Sequence, residues 1–256
     1  MRYTETNAKA WDAWGEKNNP WTIPISHEDF LRAKKGDWQV VLTPCIPVPH
    51  DWFLPFEGCK LLGLASGGAQ QMPVFAALGA RCTVLDYADS QLQKERDVAD
   101  REGYEINIVK ADMTLPLPFE DNAFDLIFHP VSNCYIEDVQ HVWDECYRVL
   151  RPGGVLLAGL DNGINYLFDE DKDNPLKIVN KLPYNPLKMS EEQQKKELEI
   201  NEGTVQFSHT MEEQVGGQLK AGLRLTHLYE DRDRPGDSPD ISDYIPLYAA
   251  TRAVKP

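Results

Sequence analysis

The sequence predicts a doubly wound α/β domain with a mostly parallel sheet, and three observations carry that expectation. From residue 60 onward, short apolar runs of strand length alternate with stretches of helical length. A turn of small residues, Ala65-Ser66-Gly67-Gly68-Ala69, directly follows the first run. The helical stretches are long enough to carry the chain back across a sheet, so successive strands run parallel with both faces covered.

Residues 1–56 hold five of the six tryptophans (Trp11, Trp14, Trp21, Trp38, Trp52) and six prolines, with little regular periodicity. Such a segment packs over a domain rather than folding alone. It is read as an N-terminal cover containing a helix near 26–35 with Ser26 as N-cap. The domain proper is placed at 57–256. Its strands are expected at 60–65 (KLLGLA), 81–86 (RCTVLD), 105–110 (EINIVK), 124–129 (FDLIFH) and 154–160 (GVLLAGL). Helices are expected near 69–78, 89–102 and 137–150. Residues 161–208 break this rhythm and form an insertion. It should hold a helix near 190–198 and a short hairpin turning at Asn201-Glu202-Gly203. Its charged part, 169–199, is expected to be a solvated surface whose loop folds over the site. A helix at 210–221 then leads through Gly222 into a strand at 223–230, and a final strand spans 244–254.

The formal net charge is −15, and no Lys/Arg cluster exceeds pairs such as Lys34-Lys35 and Lys195-Lys196. Neutralising nucleic-acid phosphates needs a basic face, so no nucleic-acid partner is expected. The five scattered cysteines contain no C-x-x-C pair, which suits free thiols in a reducing compartment. No apolar run reaches the ~18 residues of a membrane span, and the start lacks a signal-peptide pattern. A cytoplasmic protein without membrane contact is expected; the oligomeric state is not legible.

Three features fall where chemistry belongs in such a sheet, at the carboxyl ends of strands. The loop at 65–69 lets backbone approach a ligand and leaves helix N–H groups facing it. Asp86 ends the next strand, 19 residues beyond Gly67, at the spacing of a carboxylate that binds ribose hydroxyls; capping the following helix is the alternative role. Asp112, after the third strand, could accept from an adenine amino group while Met113 packs on the ring. Together the three trace a bound adenosine.

LLGLASGGAQQ, TVLDYADSQL, VKADMTLPLPFEDNAFDLIFHP and ECYRVLRPGGVLLAG resemble the successive motifs of class I S-adenosylmethionine-dependent methyltransferases. A bacterial methyltransferase-like subgroup is more similar still, sharing the WTIP start, the L-A-S-G-G-x-Q-Q loop, HPVSNC and EEQVGGQ. The resemblance implies a Rossmann-like, seven-stranded sheet with an antiparallel last strand. It implies S-adenosylmethionine as cofactor, held by Ala65, Ser66, Gly67, Gly68 and Gln71 at its amino-acid end. Asp86 with Tyr87 would hold the ribose, and Asp112 with Met113 the adenine. His129, Pro130 and Val131 would face the sulfonium. One departure stands out: the family's acid before the glycine loop is Gly63 here.

The expected reaction is in-line methyl transfer to a small-molecule acceptor, with alignment contributing up to roughly 7–11 kcal/mol. A base adds ~10²–10⁴-fold where the acceptor must lose a proton, and His129 is the candidate, with shaping of its own turn as the alternative. Acceptor-site candidates are Trp21, Asn133, Tyr135, Asn162, Tyr166 and His209, with Cys134 beside them. Asp161-Asn162 resembles the strand-end ligands of metal-dependent catechol methyltransferases, but His129 replaces the acid of the fourth strand, so no metal is expected. A cofactor-binding protein without turnover would share these features. A dinucleotide oxidoreductase would share the loop and Asp86 but needs the third glycine of G-x-G-x-x-G.

Overall fold

The computed structural model describes residues 2–17, 19–168, 177–234 and 241–256. Its elements in chain order are helix α1 (Tyr3–Glu16), α2 (His27–Lys34), strand β1 (Lys60–Leu64), α3 (Met72–Ala77), β2 (Arg81–Asp86), α4 (Asp89–Glu102) and β3 (Asn107–Lys110). Then follow β4 (Phe124–His129), α5 (Val139–Val149), β5 (Leu150–Asp161), α6 (Glu191–Ile200), a π-helical turn at Glu212–Gly216 continuing as α7 (Gly217–Lys220), β6 (Arg224–Asp231), α8 (Ile241–Tyr244) and β7 (Tyr248–Val254). Among the described residues these strands form one seven-stranded sheet in the order β3-β2-β1-β4-β5-β7-β6. The first five strands pair in parallel, and β7 runs antiparallel between β5 and β6. This is the Rossmann-like sheet with an antiparallel last strand.

Strand periodicity divides the core. Leu61, Val84, Leu126, Phe128, Val155 and Leu157 pack on one face, against α3 and the segment 38–56. Leu62, Leu64, Leu85, Ile127, Leu156 and Leu160 pack on the other, against α5 with Trp143 and Cys146. Alternate residues point to opposite faces of a strand, and burial on both faces gives the near-continuous apolar runs of β1, β4 and β5.

Several expectations are corrected. Residues 3–16 form a 14-residue helix, whereas no regular element was expected there. The last strand begins at Tyr248, after the short α8, and β5 starts four residues early, at Leu150. Asn201-Glu202-Gly203 does turn, but residues 204–209 pair with no strand. Their backbone bonds go elsewhere: Val205 N–H donates to Asn7 Oδ1, Phe207 N–H to Cys134 O and Ser208 N–H to Tyr184 O. The helix at 26–35 is present with the full capping box: Ser26 Oγ accepts from Asp29 N–H while Asp29 accepts from Ser26 N–H. The acidic stretch 169–176, where a loop over the site was expected, lies outside the described residues.

The cover is tied to the sheet through polar anchors. Asp231, buried at the end of β6, accepts from Thr43 Oγ1, Cys45 N–H and Ile46 N–H at 2.7–2.9 Å. Val131 N–H donates to Leu42 O. A Cβ at Gly159 would fall on that same Leu42 carbonyl, so only glycine lets residues 41–43 cross the tips of β4 and β5. Asp12 of α1 accepts from Ser90 N–H at 2.7 Å and so caps α4, whose own N-cap residue is Ala88.

Candidate active site

One cavity of about 990 Å³ opens over the carboxyl ends of the parallel strands. Its floor is formed by the tips of β3 (Ala111–Met113), β2 (Asp86–Ala88), β1 (Ala65–Gly67), β4 (Pro130–Ser132) and β5 (Asp161). Its walls come from far along the chain: Thr4, Asn7, Trp11 and Trp14 of α1, Trp21, Leu42–Pro44, Tyr166, Phe168, Gln206, Ile241 and Tyr248. At 4.7–4.9 Å per strand, the tip of β5 lies on the order of 19 Å from that of β3 and about 10 Å from that of β1.

The loop after β1 is tightly folded. Ala65 and Ala69 take positive φ (47° and 56°), and Gly68 sits at φ 100°. Its amides turn inward rather than toward the cavity: Gly67 N–H donates to Asp86 Oδ2, Gly68 N–H to Gln91 O and Ala69 N–H to Glu95 Oε1. These three N–H groups are therefore not displayed to the cavity, and α3 begins only at Met72. Gly63, where the family's acid would stand, also has a physical reason. A Cβ there would meet the buried Met72 Sδ at 2.6 Å. A Cβ at Gly67 would lie 2.8 Å from Asp86 Oδ2, so glycine permits the contact between loop and carboxylate.

Asp86 binds its own structure as well as facing the cavity. Oδ1 accepts from Tyr87 and Ala88 N–H at 2.7 and 3.0 Å, and Oδ2 from Gly67. Burial raises its pKa, opposed by these three bonds. Behind the loop, Glu95 is buried, with its pKa pushed up to about 8 by desolvation despite the bond from Ala69. Asp112 Oδ1 accepts from Thr114 N–H and Oγ1, while Oδ2 is buried without a hydrogen bond and lies 3.7 Å from the Arg2 guanidinium.

Nine buried side-chain polar atoms lack a hydrogen-bond partner among the described residues, and five belong to residues on this cavity: Thr4 Oγ1, Gln91 Oε1, Asp112 Oδ2, Asp161 Oδ2 and Asn165 Oδ1. Buried polar groups are normally paired, so such a concentration marks a place where a ligand completes the bonding. All but the Thr4 hydroxyl can only accept. An adenosine bearing an amino group and ribose hydroxyls supplies donors of this kind, so the residues present fit an adenosyl cofactor.

Of the predicted site residues, Ala65, Ser66, Gly67, Gln71, Asp86, Tyr87, Asp112, Met113, Pro130, Val131, Trp21, Tyr135 and Tyr166 are brought together on this one surface. Gly68, His129, Asn133, Asn162 and His209 are not on it. His129 is fully buried below the floor: Nδ1 lies 2.9 Å from Leu64 O and Nε2 2.8 Å from Asn133 Oδ1. Burial lowers its pKa, opposed by the contacts with Leu64 O and Asn133 Oδ1. Asn133 Nδ2 continues the chain to Gln214 Oε1 at 2.8 Å. Asn162 is engaged with Pro246 O and Ile164 N–H, and His209 Nε2 with the carbonyls of Asn133 and Ile136. These four side chains shape the turns beneath the site.

Asp161 is the residue the sequence reading did not place in the acceptor site. It closes β5 with 3% exposure, and Oδ1 accepts from Gly163 N–H at 2.9 Å. Desolvation pushes its pKa up to about 7. The signal was present as a lone carboxylate ending the apolar run GVLLAGL.

These features agree with the comparisons with known proteins. Residues 62–158 match the family model described as a methyltransferase domain. The chain is 42% identical over 252 residues to a Bacillus subtilis protein named "Uncharacterized methyltransferase YbaJ", covering 97% of both chains. It is 27% identical over 226 residues to the sterol 24-C-methyltransferase erg6 of Schizosaccharomyces pombe, spanning about half (49%) of that protein. Among solved structures, an S-adenosylmethionine-dependent methyltransferase from Mesorhizobium loti shares the fold with a TM-score of 0.63 at 18% identity, covering 80% of this chain and 94% of that one. The chain belongs to the methyltransferase family of the Bacillus subtilis protein, which it matches over nearly its whole length. Its fold is that of the S-adenosylmethionine-dependent methyltransferases.

Proposed function

We propose that this enzyme transfers the methyl group of S-adenosylmethionine in line to a small-molecule acceptor held in the β4–β5 half of the cavity. The observation that carries the reading is the cavity's continuity and size: about 990 Å³ reaches the upper end of the 300–1,000 Å³ typical of small-molecule sites. That is room for cofactor and acceptor together.

The bound cofactor supplies an electrophilic methyl group on a sulfonium whose departure needs no acid. The protein's contribution is placement and exclusion of water. Asp86 accepts from the ribose at the β2 tip, and Asp112 Oδ2 from the adenine amino group, with Met113 against the ring. The 65–71 loop, through Ser66 and Gln71, bounds the amino-acid portion; Ser66 Oγ already donates to Gln71 Oε1 at 3.1 Å, which fixes both. Pro130 and Val131 present an apolar floor between the two halves, and Trp21, Tyr135 and Tyr166 wall the acceptor side. The net charge of −15 supports a small acceptor over a nucleic acid.

Thermal unfolding with S-adenosylmethionine, S-adenosylhomocysteine, NAD or no ligand tests this reading. Ligand at about 100 times its Kd adds ~2.7 kcal/mol, a rise of several degrees in Tm. A rise with both adenosyl ligands and none with NAD is expected. A rise with NAD alone would overturn the reading. Methyl transfer to an acceptor separates an enzyme from a binder without turnover.

A further inference from the structure

The β5 end of the cavity has an unusual electrical character. Asp161 Oδ2 and Asn165 Oδ1 are both buried and unpartnered there, and with Asp161 ionised both can only accept hydrogen bonds. The titratable groups that act on Asp161 from the packed elements are Cys134 and Tyr135 after β4, Tyr166 after β5 and, through its neighbours, Tyr248 on β7. Each of these becomes negative when it ionises; none is a cation. The guanidinium of Arg234, on the cavity wall, stacks on the Trp21 ring at 4.2 Å and donates to Pro44 O. A buried carboxylate that has no counter-charge among the described residues and one oxygen without a hydrogen bond is costly unless a ligand supplies both. A ligand group that carries a positive charge, offers several N–H donors and tolerates aromatic rings beside it is an amine in its ammonium form.

We propose that the methyl acceptor is an amine and that Asp161 binds its ammonium nitrogen and takes its proton, an inference resting on the methyltransferase reading above. Asp161 lies two strands from the β1 loop, about 10 Å along the sheet at 4.7–4.9 Å per strand. That separates it from the cofactor carboxylates while keeping it within reach of a methyl group delivered over β4. Its raised pKa, about 7, suits a group that must accept and release a proton near neutrality. In the step, the Asp161 carboxylate takes one proton from the ammonium, and the freed nitrogen lone pair forms the N–C bond. The methyl–sulfur bond breaks with its electron pair remaining on sulfur. The products are an N-methylammonium and S-adenosylhomocysteine, and the proton on Asp161 passes to water.

The test uses the protein saturated with S-adenosylhomocysteine and three probes on one skeleton: 2-phenylethylamine, 2-phenylethanol and phenylacetate. Calorimetry is expected to show the amine binding about 10-fold or more tighter than the alcohol, as for a hydrogen bond to a charged group. The carboxylate should not bind. Asp161→Asn, which keeps the oxygen accepting from Gly163, should abolish the amine's advantage while S-adenosylhomocysteine affinity stays within ~3-fold. Amine affinity should rise with pH through the Asp161 titration in the wild type and lose that dependence in the variant. Equal binding of alcohol and amine, binding of none of the three, or a parallel loss of S-adenosylhomocysteine affinity in Asp161→Asn would overturn the proposal. The last result would assign the carboxylate to the cofactor's own ammonium. Should the variant not fold, the wild-type comparison of the three probes decides. Failure of the wild type to bind S-adenosylhomocysteine would instead strike at the methyltransferase reading itself.

Discussion

At the β1–β3 end of the cavity, the floor residues proposed to meet the cofactor sit on strand tips between residues 65 and 113, while the β5 end is walled by residues as distant as Trp11, Tyr135, Tyr166, Gln206 and Tyr248. The first end is also largely closed on itself: Asp86 and Glu95 already accept from the loop amides. Its Asp112 Oδ2, which has no hydrogen bond, lies 3.7 Å from the Arg2 guanidinium, whereas Asp161 Oδ2 at the second end has no hydrogen bond and no ion pair among the described residues. A half-site for a constant cofactor can be built from local turns that fold as one piece. A half-site that must vary with the acceptor is better assembled from separate segments, each free to change without disturbing the sheet.

Four measurements break or sharpen that contrast. Asp86→Ala removes both the proposed ribose acceptor and the partner of three backbone amides. S-adenosylhomocysteine affinity should fall by ~100-fold or more by calorimetry, about 3 kcal/mol; an unchanged Kd would remove Asp86 from the cofactor site. Asn7→Ala cuts the tie between α1 and residues 135 and 205, made by two donated bonds and one accepted bond of 2.6–3.3 Å. Denaturant unfolding should register a loss of about 2 kcal/mol, with cofactor affinity less affected than in Asp86→Ala.

Glu95→Gln probes the closed end by pH. Its native pKa of about 8 stands above the ordinary carboxylate value. The folded state therefore binds more protons than the unfolded state across pH 4.5–8, and wild-type stability declines as pH rises through that window. The glutamine still accepts from Ala69. The variant should be more stable than wild type at pH 8 and above, by on the order of 1–2 kcal/mol, and equal near pH 5. Parallel curves would mean Glu95 is ionised without cost. The smallest effect is expected on turnover from His129→Gln, because both ring nitrogens already serve the fold. A rate within ~3-fold of wild type at pH 8 is expected; a loss of ~10² or more would restore the ring as a base.

Much of this contrast was legible in the sequence. The short apolar runs marked β1, β2, β4 and β5, and the spacing from Gly67 to Asp86 marked the proposed cofactor end, because strand tips are local features. Helix α1 was not legible because the residues it buries are Thr4, Asn7, Ala10 and Gly15. Their spacing is helical but their chemistry is small or polar, so hydrophobic periodicity is silent. His129 was misplaced because it is the last residue of β4, and a strand tip can point its side chain into the core as readily as toward a ligand. The extended run 204–209 looked like a hairpin arm, yet its partners are the side chain of Asn7 and two carbonyls more than twenty residues away. No local pattern encodes such partners.

The polar mooring of α1 has a dynamic consequence. That helix roofs the cavity, held by the Asp12–Ser90 and Asn7–Val205 bonds and by the rings of Tyr3 and Trp11 against Phe207 and Tyr135, and it adds no residue to the two core clusters of the sheet. Detaching it leaves both clusters intact, so its opening free energy falls below that of the central strands. In the free protein the amides of residues 3–16 should exchange with deuterium orders of magnitude sooner than those of β1 and β4. A ligand beneath the roof slows that exchange, which makes the tempo at which this helix lifts a clock for cofactor loading and product escape.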